Sequence, residues 1–289
     1  MVAAGLVLGI ATGGFPAFAP EVAQVALVVA MTFSMTEISF ARISPRAEAR
    51  SVALSFVMSY VVLSGLLLLF AMLSADPAIR AGWVLTAAVP PAVAVIPITS
   101  LLKGDTRRSL IALAFQYLVG LALVPAIIFV FVGREVPVGT LVSQTVLLLG
   151  LPIVLSRALR HWPRSAEVRP AAVSVSFLFL VTAISGSTRA TLFGSLDLVV
   201  LGALSLARTF GLGLALFAVA RLLGASRERQ VAATTFASFK NLGLAIVLAS
   251  TVVEPAAALP SIVSLVFEIL WLGALPFVFR GSPGPSRAA

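Results

Sequence analysis

The sequence predicts an all-α polytopic membrane protein. It should form one transmembrane domain over residues 1–289, with ten helices in two inverted five-helix repeats, residues 1–135 and 136–289. Three observations predict this. The chain is 60% hydrophobic and only 11% charged over 289 residues, whereas a soluble domain is roughly a quarter charged, so most of its surface must face lipid. Its apolar stretches are long and continuous rather than alternating, which selects helices over barrel strands, because a backbone in lipid must satisfy its own hydrogen bonds. Two of the stretches are interrupted at matching places in the two halves.

Apolar runs of about 20 residues mark spans, and they fall at 2–19, 21–40, 51–74, 81–102, 109–132, 137–157, 171–191, 196–223, 230–252 and 256–279. The first run resembles a signal peptide ending in Ala17-Phe18-Ala19. No Lys or Arg precedes it, however, and Pro20 would follow the cut directly, so it is read as a retained span. The connections are too short to hold a soluble domain. Basic residues cluster after the even-numbered spans: Arg42, Arg46 and Arg50; Lys103, Arg107 and Arg108; Arg157, Arg160, Arg164 and Arg169; Arg221, Arg227 and Arg229; Arg280 and Arg287. The opposite connections hold only Arg80, Arg134 and Arg189. By the positive-inside rule both termini are cytoplasmic, in a multi-pass protein of an inner or plasma membrane. The net charge of +9 is therefore a topological signal with some attraction to lipid headgroups, and no nucleic-acid partner is expected.

The interruptions differ in chemistry. Span four carries Pro90, Pro91 and Pro97, and each proline removes an amide donor and clashes with the preceding turn. Span nine carries Thr234-Thr235-Phe236-Ala237-Ser238-Phe239-Lys240-Asn241-Leu242-Gly243 at mid-membrane, where polar and β-branched residues favour local side-chain bonding over the helix ladder. An odd number of spans per half forces the halves into opposite orientations. Paired broken helices at equivalent positions then point to a transport site at the midplane. Pro125 and Pro276 echo the correspondence in spans five and ten.

The stretch from Pro90 to Lys103-Gly104-Asp105, the run Asn241-Leu242-Gly243-Leu244-Ala245, and Met31-Thr32-Phe33-Ser34-Met35 before a basic loop resemble the bile acid:sodium symporter family. That family belongs to a superfamily of bile-acid, arsenite and riboflavin-type carriers. The resemblance implies a core domain whose fourth and ninth helices unwind and cross, beside a panel of outer helices, with substrate bound between them. It also implies what has changed. Aligned on Asn241, the family's Glu-x-Gly-x-Gln-Asn pattern falls on Phe236, Ser238 and Lys240, its Ser-Asn pair in span four falls on Val95 and Ile96, and of its span-five hydroxyls Ser109 survives while the next falls on Leu113. The oxygen ligands that sodium needs are largely gone and an ammonium has arrived. Strict sodium dependence is not expected.

Three ionisable residues sit near the centres of their spans: Arg208, Lys240 and Glu268. Unpaired in lipid each would cost several kcal/mol, so they should face the interior. An Arg208–Glu268 bridge between spans eight and ten is the bland reading, and it leaves Lys240 either neutral or awaiting an anion. The candidate substrate- or ion-binding residues are Lys240, Asn241, Ser238, Thr235, Thr234, Thr99, Ser109 and Gln116, with Tyr117 beside the last. Glu37 is read as an interfacial partner of Arg42.

Two transport readings follow. In the first, a small organic anion moves by alternating access with Lys240 as its partner. In the second, a proton-linked exchanger uses Lys240 as the titrating group, so the coupling ion is a proton or sodium. A membrane enzyme acting on lipid or prenyl substrates is the remote alternative, since it would need an acid-rich metal motif, a Ser/His pair or a His cluster. The acids are scattered and His161 is the single histidine. With no cysteine, thiol and disulfide chemistry are excluded, and no metal or other cofactor is expected.

Overall fold

A computed structural model describes residues 2–15, 17–37, 48–133, 136–187, 189 and 197–281. Arg42, Arg46, Arg134, Arg287 and the side chain of Glu37 lie outside the described residues. Among those described, the chain is helical throughout and carries no strand.

Among the described residues, six helices are long and apolar enough to cross a bilayer: α3 (Ala49–Leu73), α6 (Thr106–Val132), α7 (Val138–Leu159), α8 (Ser165–Ser187), α9 (Leu198–Leu222) and α12 (Pro255–Val278). The other six are shorter: α1 (Val2–Thr12), α2 (Ala19–Ser34), α4 (Pro77–Ala88), α5 (Val95–Leu101), α10 (Arg227–Phe236) and α11 (Leu242–Val253). Stretches four and nine are each two half-helices.

Three boundaries depart from the sequence reading. The run 2–19 is helical only to Thr12, because Gly13 and Gly14 adopt φ of +80° and +66°, a left-handed geometry that ends a helix and that glycine alone takes without strain. Eleven residues rise only about 16 Å, roughly half a bilayer. In stretch seven, α8 starts at Ser165, six residues before the predicted 171. Pro97 is not part of the break. It is the third residue of α5, where the amide it lacks would have had no intrahelical partner. The chain is broken at 89–94, and Pro90 and Pro91 carry that break.

Packing divides the molecule in two. Helices α1, α2, α7 and α8 contact one another, α8 lying against both α1 and α2. Glycine permits this closeness: a Cβ on Gly9 would meet Thr182 O at 2.5 Å, and one on Gly186 would meet Gly13 C at 2.4 Å. The second group holds α3, α4, α5, α6, α9, α10, α11 and α12. Its centre is made of the half-helices: residues 81–89 and 242–249 are all buried. Gly82 lets α4 back onto the turn before α12, since a Cβ there would meet Ala257 O at 2.3 Å. The first group is termed the panel and the second the core.

The basic connections share one face. Arg108 pairs with Glu48 at 3.1 Å and with Asp105 at 3.2 Å; Arg157 donates to Met35 O at 2.6 Å; Arg227 donates to Leu102 O at 2.9 Å and Phe279 O at 3.3 Å. These bonds tie together the connections that follow stretches two, four, six, eight and ten.

Candidate functional site

The two breaks meet. Asn241 N donates to Pro90 O at 2.8 Å, so each unwound strand satisfies a backbone group of the other. Asn241 also organises the restart of α11, its Oδ1 accepting from Leu244 N at 3.1 Å as an N-cap. Its Nδ2 donates to Tyr117 Oη at 3.0 Å, fixing the crossing to α6.

The side chain of Lys240 leaves its own break and enters the other. Nζ donates to Ser64 Oγ at 2.9 Å, Ala87 O at 3.0 Å and Val89 O at 2.8 Å, and lies 4.5 Å from the centroid of the Tyr60 ring. Ala87 and Val89 end α4, where carbonyls lack intrahelical partners and the helix dipole is negative. The two carbonyls can only accept, which suits the N–H groups of an ammonium, while the Ser64 hydroxyl can accept from an ammonium or donate to an amine lone pair. Lys240 is fully buried. Among the described residues its Nζ makes no ion pair with a carboxylate.

The charge pair of α9 and α12 serves span nine. Arg208 bridges Glu268, and its Nη2 also donates to Ser238 O at 2.9 Å, while Lys240 N donates to Glu268 Oε1 at 3.1 Å. The pair thus accepts the amide and covers the carbonyl that the break leaves open. Arg208 Nε and Nη1 reach no partner among the described residues.

The remaining candidates separate into groups. Ser238 Oγ and Thr235 Oγ1 bond back to Thr234 O and Val231 O at 2.7 and 2.8 Å, so these hydroxyls stay within their own helix. Thr99 and Ser109 meet each other at 3.4 Å. Ser109 lines a vestibule of about 700 Å³ on the basic face, with Glu48, Arg50, Asp105, Arg108 and Glu228. There a hydrogen bond from Ser226, helped by Arg108 and Arg227 against a small burial effect, holds the Glu228 carboxyl below the usual range. Thr234 and Gln116 are buried with no hydrogen-bond partner among the described residues.

Ser64 and Tyr60 were not singled out in the sequence because α3 reads there as one apolar run. Their signal is a serine on one face at every turn, Ser51, Ser55, Ser59 and Ser64, with one extra residue before the last. A π-helical turn over Val57–Leu63 absorbs that residue. Such turns are frequent at functional sites, and α9 has one over Ala207–Gly211, around Arg208.

A second cavity of about 500 Å³ lies beside the crossing, between the panel and the core. Met31 and Phe177 border it from the panel, and Val93, Phe239, Asn241 and Glu268 from the core. Its walls are apolar apart from the strands of the breaks, that carboxylate, Ser34 of α2 and Arg169 of α8.

Half-helices that meet at their breaks, a cavity beside them and, among the described residues, six helices long and apolar enough to cross a bilayer describe a multi-pass membrane protein. The profile of the SBF-like CPA transporter family matches residues 8–274, and the chain belongs to that family, which bears out the resemblance to bile acid:sodium symporters. No curated protein matches the chain.

Proposed function

We propose that this protein is a secondary active transporter in which the Lys240 ammonium takes the place of a bound cation, and that it carries a small organic anion by alternating access. The observation that carries this reading is the cage around Nζ: two carbonyls at a helix C-terminus, a hydroxyl and an aromatic face. Such a set suits a cation. Because the cation is tethered, loading and unloading it means gaining and losing a proton, so the coupling ion is the proton. Lys240 and Arg208 against Glu268 leave one positive charge over at the crossing, which supports an anionic cargo in the adjoining cavity.

The ten-span plan belongs to the same proposal: repeats 1–135 and 136–289, related by inversion, with both termini cytoplasmic in an inner or plasma membrane. The matched π turns of α3 and α9 and the matched breaks support it. The vestibule then opens to the cytoplasm.

Uptake of candidate organic anions into proteoliposomes tests the reading. With choline replacing sodium, uptake should persist and should follow an imposed pH gradient. Uptake that collapses without sodium and ignores pH would overturn it.

A further inference from the structure

Several buried polar groups have no partner among the described residues, and those of Ser55, Ser59 and Gln116 lie along one seam. Ser55 Oγ, Ser59 Oγ, Thr234 Oγ1 and both amide atoms of Gln116 reach none among the described residues, and all four residues are buried. Buried polar groups are almost always hydrogen-bonded, and where protein supplies no partner the usual one is internal water. Each group here brings a donor and an acceptor.

Their placement is ordered. Ser51 and Leu54 of α3, Ser109 of α6 and Ala232 of α10 line the vestibule on the basic face. The same three helices continue past it, α3 packing on both α6 and α10. Ser55 and Ser59 lie one and two turns beyond Ser51, about 5 and 11 Å along the axis. Gln116 lies two turns beyond Ser109, whereas Thr234, two residues beyond Ala232, lies on the opposite side of α10. Val57 and Val61 of α3 are exposed on its outer face, at 40% and 58%, so the buried serines point inward to the seam. A Cβ on Gly120, one turn beyond Gln116, would lie 3.4 Å from Tyr60 Oη, itself buried without a partner. The π turn of α3 then brings Ser64, not residue 63, onto the serine face, where its Oγ accepts from Lys240 Nζ at 2.9 Å.

We infer that the seam between α3, α6 and α10 holds a file of water that joins the vestibule to Lys240, lined by Ser55, Ser59 and Gln116. The file is a route by which protons reach and leave the ammonium from the basic face. That last role rests on the proposed proton coupling; the presence of the water does not.

Water-edited solid-state NMR of the full chain in lipid bilayers tests the file directly. Polarisation from water should build up on the Gln116 side-chain amide several-fold faster than on the indole N–H of Trp83. That indole is also buried without a partner, but it sits in an apolar cluster with Leu63, Leu67 and Phe70 that offers water no second polar group. A Gln116 amide as slow as the Trp83 indole overturns the inference. In the same bilayers, Ser55→Val and Ser59→Val should slow the charge displacement that follows a pH jump several-fold while leaving its amplitude intact, with Lys240→Met as the blank. Fast water transfer with no displacement in the unmodified protein leaves the file standing and sinks the proton coupling. Displacement unaffected by both substitutions removes the file as the proton route.

Discussion

The two breaks solve the same problem by opposite means. In the first, Pro90 and Pro91 remove amide donors covalently, so the helix cannot continue whatever surrounds it. Its leftover carbonyls, Ala87 O and Val89 O, are then covered from a distance by Lys240. The second break contains no proline. Ala237–Asn241 stays unwound because partners are supplied: Arg208 for Ser238 O, Glu268 for Lys240 N and Pro90 O for Asn241 N. One break is written in its own residues, and the other is written in helices α9 and α12. Mutations remote from a helix can therefore reshape the second break and not the first.

The sharpest way to break this contrast is at the charge pair. Glu268→Gln or Arg208→Met leaves a buried charge and a break without partners, and removal of one member of a buried pair typically costs about 3–5 kcal/mol. Denaturation in detergent micelles should show a loss of that order. The double variant Arg208→Met with Glu268→Leu should recover part of it, since no lone charge remains.

Lys240→Met comes next. On sequence grounds this substitution should abolish transport at nearly unchanged stability. The structure changes the second half of that expectation, because Val89 O would lose its donor, while Ala87 O keeps the Ser64 hydroxyl at 2.6 Å. Unmade buried hydrogen bonds cost about 1–3 kcal/mol, so both the melting temperature and the transport rate should fall.

Asn241→Ala removes the cap of α11 and the tie to Tyr117. A lost N-cap costs about 1 kcal/mol. Asn241→Ser keeps a capping oxygen, so it should keep most of the stability while losing the Tyr117 contact, a difference that separates the two roles.

Pro90→Ala should be the mildest. The acceptor used by Asn241 is a backbone carbonyl, which alanine retains, and changes of this kind at a tolerant position amount to about 0.4–1 kcal/mol. A loss as large as that of the charge-pair variants would show that the proline ring itself holds the crossing.

The contrast also explains what the sequence could reveal. Proline acts locally, so the first break was legible in Pro90 and Pro91, and only Pro97 misled, because a proline in a first turn reads like a proline in mid-helix. The second break was legible as a polar patch, and the mid-membrane charges of Arg208, Lys240 and Glu268 stand out against lipid. Which acceptor each charge uses was not legible. Lys240 reaches Ser64 and Ala87 across more than 150 residues of chain, and such pairings depend on helix packing. The short first helix was missed because hydropathy counts Gly13-Gly14 as apolar while their backbone geometry ends the helix.

The central claim is that Lys240 is a resident cation, and its ionisation can be read directly. The chain has only two lysines, Lys103 and Lys240, so lysine labelled with ¹⁵N at Nζ gives two signals in bilayers, and Lys103→Arg assigns them. At neutral pH without substrate, Lys240 is expected to give an ammonium signal, distinct from that of the solvated Lys103 and lost in Lys240→Met. A neutral amine signal at that pH would contradict the account.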